Sequence, residues 1–174
     1  MARLYWVEGF SPVRIAVVER PRGGDWLDGE MRALRAAGLD ILVSALQPLE
    51  VRETWLEREA EAATAAGIEF LSFPIGNMLT PVMSEALPVL EELAADLREG
   101  RSVAAHCHAS QGRGPTIVAS LLTLLGHDPA EVWARIRLAR GLVVPDTDAQ
   151  RRWVAELVRH ARRDWRGPAP GRPG

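Results

Sequence analysis

Three short apolar runs, separated by stretches of helical spacing, set the limits on what this chain can fold into. Asp40–Leu46 (DILVSAL), Ile68–Phe73 (IEFLSF) and Ser102–Ala105 (SVAA) are each too short for a stable helix, and the first carries β-branched residues. The first and third suit strands buried on both faces, the usual condition of a parallel sheet, and Ile68–Phe73 reads as the next strand. Two earlier runs, Leu4–Val7 and Val13–Val18, are split by Gly9 and Ser11-Pro12 and read as a hairpin or two early strands. Strands alternating with helices predict one α/β domain with a largely parallel sheet.

The helices are set by their end signals. Asp25 is placed to cap a helix over about 26–37, which Gly38 ends. Pro48 opens a helical stretch that runs to about Ala66 and closes at Gly67. A third helix covers about Pro81–Arg98, with Leu87, Leu90, Leu93 and Leu97 on one face, and a strongly apolar one covers about Pro115–Leu125. Pro129–Arg140 and 148–163 complete the set, and the tail is Pro/Gly-rich (RGPAPGRPG). The expected organisation is a domain over 1–164 and a disordered tail over 165–174.

Composition excludes several classes of function. Of 174 residues, 47% are hydrophobic and 25% charged, which is globular usage, and the net charge of -2 offers no basic field for nucleic acid. All 21 basic residues are arginine, so neither a lysine Schiff base nor a Walker-type phosphate lysine is possible. The single cysteine, Cys107, excludes an internal disulfide and a four-cysteine zinc site. No run approaches a membrane span and no basic-then-apolar leader is seen, so a soluble, cytoplasmic protein without a membrane partner is expected.

The informative stretch is His106-Cys107-His108-Ala109-Ser110-Gln111-Gly112-Arg113. Cys107 ends a buried strand, and an apolar helix begins just after Arg113. A short loop at a helix N-terminus aims backbone N–H groups at one point and, with the positive helix end, forms an anion site. The same field favours the thiolate of a cysteine at the start of such a loop. An arginine at its end can hold two phosphoryl oxygens through a bidentate fork. Nucleophile, donors and arginine then surround one phosphorus atom, as phosphoryl transfer to sulfur requires.

His106-Cys107, five residues and Arg113 resemble the signature of the cysteine-dependent protein tyrosine and dual-specificity phosphatases. Phe73-Pro74-Ile75-Gly76-Asn77 lies about 30 residues upstream of the cysteine, where that family carries its general-acid loop. Ala139-Arg140-Gly141, then Val144-Pro145-Asp146-Thr147 and Gln150, resemble the later segment that packs beside the catalytic loop, and Arg20–Trp26 resembles the opening segment of compact bacterial members. The resemblance implies a four- or five-stranded mostly parallel sheet with helices on both sides, a phosphocysteine intermediate, and no metal or cofactor. It implies Cys107 as nucleophile and Arg113 as phosphate clamp. His106 would orient the loop and help keep the thiolate, and Gln150 would be a candidate for placing the hydrolytic water. The partner would be a phosphorylated protein or a small anionic substrate.

The sequence departs from the family pattern at three positions. Gly114 stands where a Ser or Thr usually helps the thiolate leave. Ser110 stands where glycine is usual; a positive φ there would cost a serine on the order of 1 kcal/mol. Asn77 stands where an aspartate usually donates the proton, and losing a general acid typically costs 10²–10⁴-fold. Asp146 is either a cap for the last helix or a substitute proton donor. His108 and Gln111 are either solvent-exposed or part of the pocket rim. Trp26, Trp55, Trp133 and Trp153 read as helix-packing residues, and Arg135, Arg137 and Arg140 as a solvated basic face. These departures leave two other functions open: a weak relative that binds an anionic ligand without turning it over, or a fold reused for other thiolate chemistry, sulfur transfer from a Cys107 persulfide included.

Overall fold

A computed structural model describes residues 1–164; the assigned tail, 165–174, lies outside them. Five strands form one sheet in the order β1-β2-β5-β3-β4: β1 Leu4–Trp6, β2 Ile15–Val18, β3 Ile41–Ser44, β4 Glu69–Ser72 and β5 Val103–His106. β1 runs antiparallel to β2, so the early pair is a hairpin, and the other neighbours are parallel. Every residue of β2, β3 and β5 is buried, as the apolar runs of β3 and β5 predict, whereas β4 at the sheet edge is exposed or half-buried along its length.

Among the described residues seven helices cover the two faces: α1 Leu27–Ala36, α2 Pro48–Glu53, α3 Glu59–Ala65, α4 Met83–Arg98, α5 Arg113–Leu124, α6 Pro129–Arg140 and α7 Asp148–Asp164. Side chains of α4, α5, α6 and α7 pack with Ile15, Val17, Ile41, Val43, Val103 and Ala105 on one face. Leu27, Met31 and Leu34 of α1 and Ala62 and Ala63 of α3 pack with Ala16, Val18, Leu42 and Ala104 on the other. The alternation along each strand therefore splits the core into two layers. Among the described residues no helix is long and apolar enough to cross a membrane.

Two local departures from the sequence reading have clear causes. The first helix starts as a 3₁₀ turn over Gly24–Trp26, and no side chain caps it. The stretch read as one helix from Pro48 to Ala66 is two, α2 and α3. The break centres on Trp55 at φ 58. There the Gly24 N–H donates to the Trp55 carbonyl at 2.9 Å. A Cβ on Gly23 would stand 2.2 Å from the Thr54 and Trp55 carbonyl oxygens, so glycine lets the two backbones meet. The tryptophans also divide: Trp133 and Trp153 are buried, whereas Trp26 and Trp55 are 61% and 72% exposed.

Candidate active site

β2, β5 and β3 end together at one edge of the sheet, and the loop from Cys107 to Gly112 lies across their C-terminal ends. Parallel sheets commonly bind ligands at this edge. Ser110 Oγ donates to the Val18 carbonyl beyond β2 at 2.6 Å, and Arg113 Nη1 donates to the Ala45 carbonyl beyond β3 at 3.2 Å. Ser110 has φ 53, a left-handed conformation that carries the cost a serine meets there. Its short bond to Val18 offsets part of that strain. Arg140 Nε donates to the Ser110 carbonyl at 3.2 Å, and its guanidinium lies 4.1 Å over the Tyr5 ring. Arg140 is thus a buried brace for the loop and not part of a solvated face.

Gly112 is the N-cap residue of α5, so the loop feeds straight into that helix N-terminus. Among the described residues no backbone carbonyl accepts from the N–H groups of His108, Ala109, Ser110, Gln111 or Gly112. Those donors and the helix end form a cradle for an anion. Cys107 is buried at the start of the loop, and His108 and Ala109 are exposed at its rim.

Arg113 is 2% exposed and its outer edge is fully engaged. Nη1 donates to Glu50 Oε2 at 2.6 Å and to the Ile75 carbonyl at 2.9 Å, and Nη2 donates to Glu50 Oε1 at 2.7 Å. This bidentate pairing fixes the guanidinium plane. Burial opposes the charge on Arg113, but the hydrogen bonds and charge of Glu50, together with Cys107, outweigh it and raise its pKa. The Arg113 hydrogen bond in turn lowers the Glu50 pKa. Glu50 escaped the sequence reading. Its only signal was the capping box with Gln47 at the start of α2, in which the Gln47 N–H donates to Glu50 Oε2 at 2.9 Å.

His106, the last residue of β5, turns to the opposite face of the sheet. It is wholly buried, and its Nε2 lies 2.9 Å from Glu59 Oε1 of α3. Asn77 is exposed in the Pro74–Thr80 loop. That loop is tied down on both sides of it, by Arg113 at the Ile75 carbonyl and by Gln150 Nε2 at the Leu79 carbonyl, 3.3 Å.

Asp146 and Gln150 close the remaining side. A Cβ on Gly112 would stand 2.2 Å from Asp146 Oδ2 and 2.9 Å from Gln150 Nε2, so both side chains rest against the loop. Burial raises the Asp146 pKa, opposed by the charge of Arg113. The α7 cap is Thr147: its Oγ1 accepts from the Gln150 N–H and its N–H donates to Gln150 Oε1, both at 3.2 Å. Asp146 has no part in that cap.

A buried cysteine, an anion cradle and a braced arginine on a five-stranded, mostly parallel sheet define the class of cysteine-dependent tyrosine and dual-specificity phosphatases. The family model described as "Polymorphic toxin system, DSP-PTPase phosphatase" matches residues 16–127, and the chain belongs to that family. Solved structures agree on the fold. Kinase associated phosphatase with serine in place of its catalytic cysteine superposes with a TM-score of 0.80 at 18% identity, over 91% of this chain and 94% of that one. Tk-PTP in its active form gives 0.71 at 24% identity, over 90% and 96%. PTPMT1 in complex with PI(5)P gives 0.66 at 17% identity, over 84% and 94%. No curated protein matches the chain.

Proposed function

We propose that the chain hydrolyses phosphomonoesters through a phosphocysteine on Cys107. The observation that carries this reading is the Arg113 fork, locked by Glu50 at the end of a loop whose N–H groups lack carbonyl partners. The Cys107 thiolate attacks phosphorus, an S–P bond forms, and the ester P–O bond breaks. Loop N–H groups and Arg113 hold the phosphoryl oxygens. The leaving oxygen takes a proton from Asp146. Water then attacks phosphorus and gives its proton to Asp146, the S–P bond breaks, and thiolate and phosphate are regenerated. Gln150 orients that water.

Three facts support Asp146 as the acid: its carboxylate rests on the loop at Gly112, burial favours its protonated form, and Thr147 holds the capping role. Asn77 has no proton to give at neutral pH. Breakdown of the phosphocysteine is the slower half, because Gly114 has no hydroxyl and Thr116 Oγ1 donates to the Gly112 carbonyl at 2.8 Å. His108, Ala109 and Gln111 at the rim narrow the choice of a phosphorylated protein or small anionic substrate. The family description, which names a polymorphic toxin system, supports a phosphatase that serves within such a system.

The test is rapid acid quench after mixing with a radiolabelled aryl phosphate. Label on Cys107 that accumulates and then turns over is the expected result. Label that never turns over would support a stalled relative, and tight phosphate binding without label a binding module.

A further inference from the structure

Ser110 carries the left-handed turn of the catalytic loop and is wholly buried. The family's loop usually has glycine there, the residue that adopts this conformation with no Cβ penalty. A strained residue persists only where its surroundings over-determine it. Two bonds do so here, and neither involves the anion. β2 pairs with β5 only from Ile15 to Val17, so the Val18 carbonyl lies beyond the last paired residue. Ser110 Oγ donates to that carbonyl at 2.6 Å, in a buried contact. The Ser110 carbonyl accepts from Arg140 Nε at 3.2 Å. Arg140 is itself fixed, buried over the Tyr5 ring, and the Tyr5 hydroxyl donates to Glu19. The hydroxyl and carbonyl of Ser110 are thus committed to β2 and α6, while among the described residues no backbone carbonyl accepts from its N–H.

We propose that Ser110 is a positioning residue for the anion cradle: its hydroxyl, anchored on Val18, locks the loop N–H groups in their binding arrangement independently of any ligand. Glycine would reach φ 53 without strain, but it would leave that turn as readily, because its backbone has more conformations open to it. A loop free to leave the turn must be reordered by each anion that enters, and that ordering subtracts from affinity. With serine, leaving the turn breaks the buried bond and strands both the hydroxyl and the Val18 carbonyl without a partner. The strained serine therefore makes one shape of the loop the stable one. The lock acts before binding, since an anion in the cradle would hold the loop through its own bonds. It bears on capture of the substrate, read in kcat/KM, and not on steps after capture, read in kcat. The inference rests on the loop holding phosphoryl groups, as in the phosphocysteine reading.

The test is Ser110→Gly in the full chain, read by calorimetry of inorganic phosphate binding and by steady-state kinetics on an aryl phosphate. Phosphate affinity should fall about tenfold, and kcat/KM by about the same factor, while kcat changes by less than about twofold. The urea midpoint should move little, because the lost hydrogen bond and the relieved strain act in opposite directions. Ser110→Ala, which keeps the strain and loses the hydroxyl, should also bind phosphate several-fold more weakly than wild type. Unlike Ser110→Gly, it should unfold at lower urea. Phosphate affinity of Ser110→Gly within about twofold of wild type would overturn the proposal, whatever happens to stability. Equal falls in kcat and kcat/KM would overturn it too, since Ser110 would then act after capture. Should Ser110→Gly not fold, an unchanged phosphate affinity in Ser110→Ala overturns it equally. Failure of the phosphatase reading would look different: phosphate binding would still weaken in Ser110→Gly, with no turnover and no trapped phosphoenzyme in any variant.

Discussion

Gly112→Ala isolates one contact between the loop and the residue assigned as acid. Gly112 sits at φ -104 and ψ -78, so alanine meets no left-handed penalty there. The new Cβ would instead stand 2.2 Å from Asp146 Oδ2. An ordinary contact begins near 3.5 Å, so the carboxylate must retreat by roughly 1 Å. A misplacement of about 1 Å can cost on the order of 10²-fold in rate. Gln150 Nε2, at 2.9 Å from the same Cβ, is the tip of a side chain and can give more easily. The assay is steady-state kinetics on an alkyl and an aryl phosphate, with iodoacetate alkylation of Cys107 as control. kcat on the alkyl ester should fall by about 10- to 100-fold and on the aryl ester several-fold less, because the basic alkoxide depends more on protonation. Alkylation should be unchanged. Equal losses on both esters would mean that the clash acts on the loop and that Asp146 is not a proton donor.

Cys107→Ser should abolish turnover while phosphate or vanadate still binds, because serine keeps the loop but is not ionised at neutral pH; more than a tenth of wild-type activity would refute the covalent mechanism. Arg113→Lys should lower kcat/KM by at least about tenfold despite the retained charge, because lysine cannot reproduce the fork that Glu50 orients. Equal kinetics for the two proteins would mean that Arg113 does not hold phosphate.

What the sequence shows and what it hides follow from the range of the forces involved. The buried strands were legible because apolar runs as short as Ile41–Ser44 have one stable use. The strain at Ser110 was legible because the family loop needs a glycine there, and the residue does adopt φ 53. The break after α2 was not. Its residues have helical propensity, and the helix yields to a tertiary contact from Gly23 and Gly24, about 30 residues away in sequence. Glu50 and Glu59 were hidden for the same reason: each is a glutamate in a charged helical stretch until folding places it against Arg113 or His106. Arg140 looked like one of a cluster of exposed arginines, and only the approach of Tyr5 and Ser110 buries it.

The competing sites for the acid make opposite predictions with pH. Burial raises the Asp146 pKa, so its protonated fraction extends to higher pH than for an exposed aspartate. If Asp146 donates the proton, kcat on an alkyl phosphate falls as pH rises through that raised value. Asp146→Asn should remove this limb and depress alkyl turnover selectively. The same shift has a consequence for stability. A carboxyl whose folded pKa is raised stabilises the fold below its unfolded pKa, and that contribution is lost as pH rises through the folded value. At neutral pH the charged Asp146 therefore weighs against folding, and Asp146→Asn should raise the urea midpoint at pH 7 but not at pH 3. Asn77→Asp should change the alkyl-to-aryl ratio little, because in the proposed mechanism Asp146 already supplies the proton. If Asn77→Asp instead raises alkyl turnover while Asp146→Asn leaves it within about twofold, the acid position is vacant in this chain and Asp146 is only a neighbour of Gly112. A gain in midpoint at pH 7 with unchanged kinetics would show that the burial of Asp146 is real but serves no proton transfer.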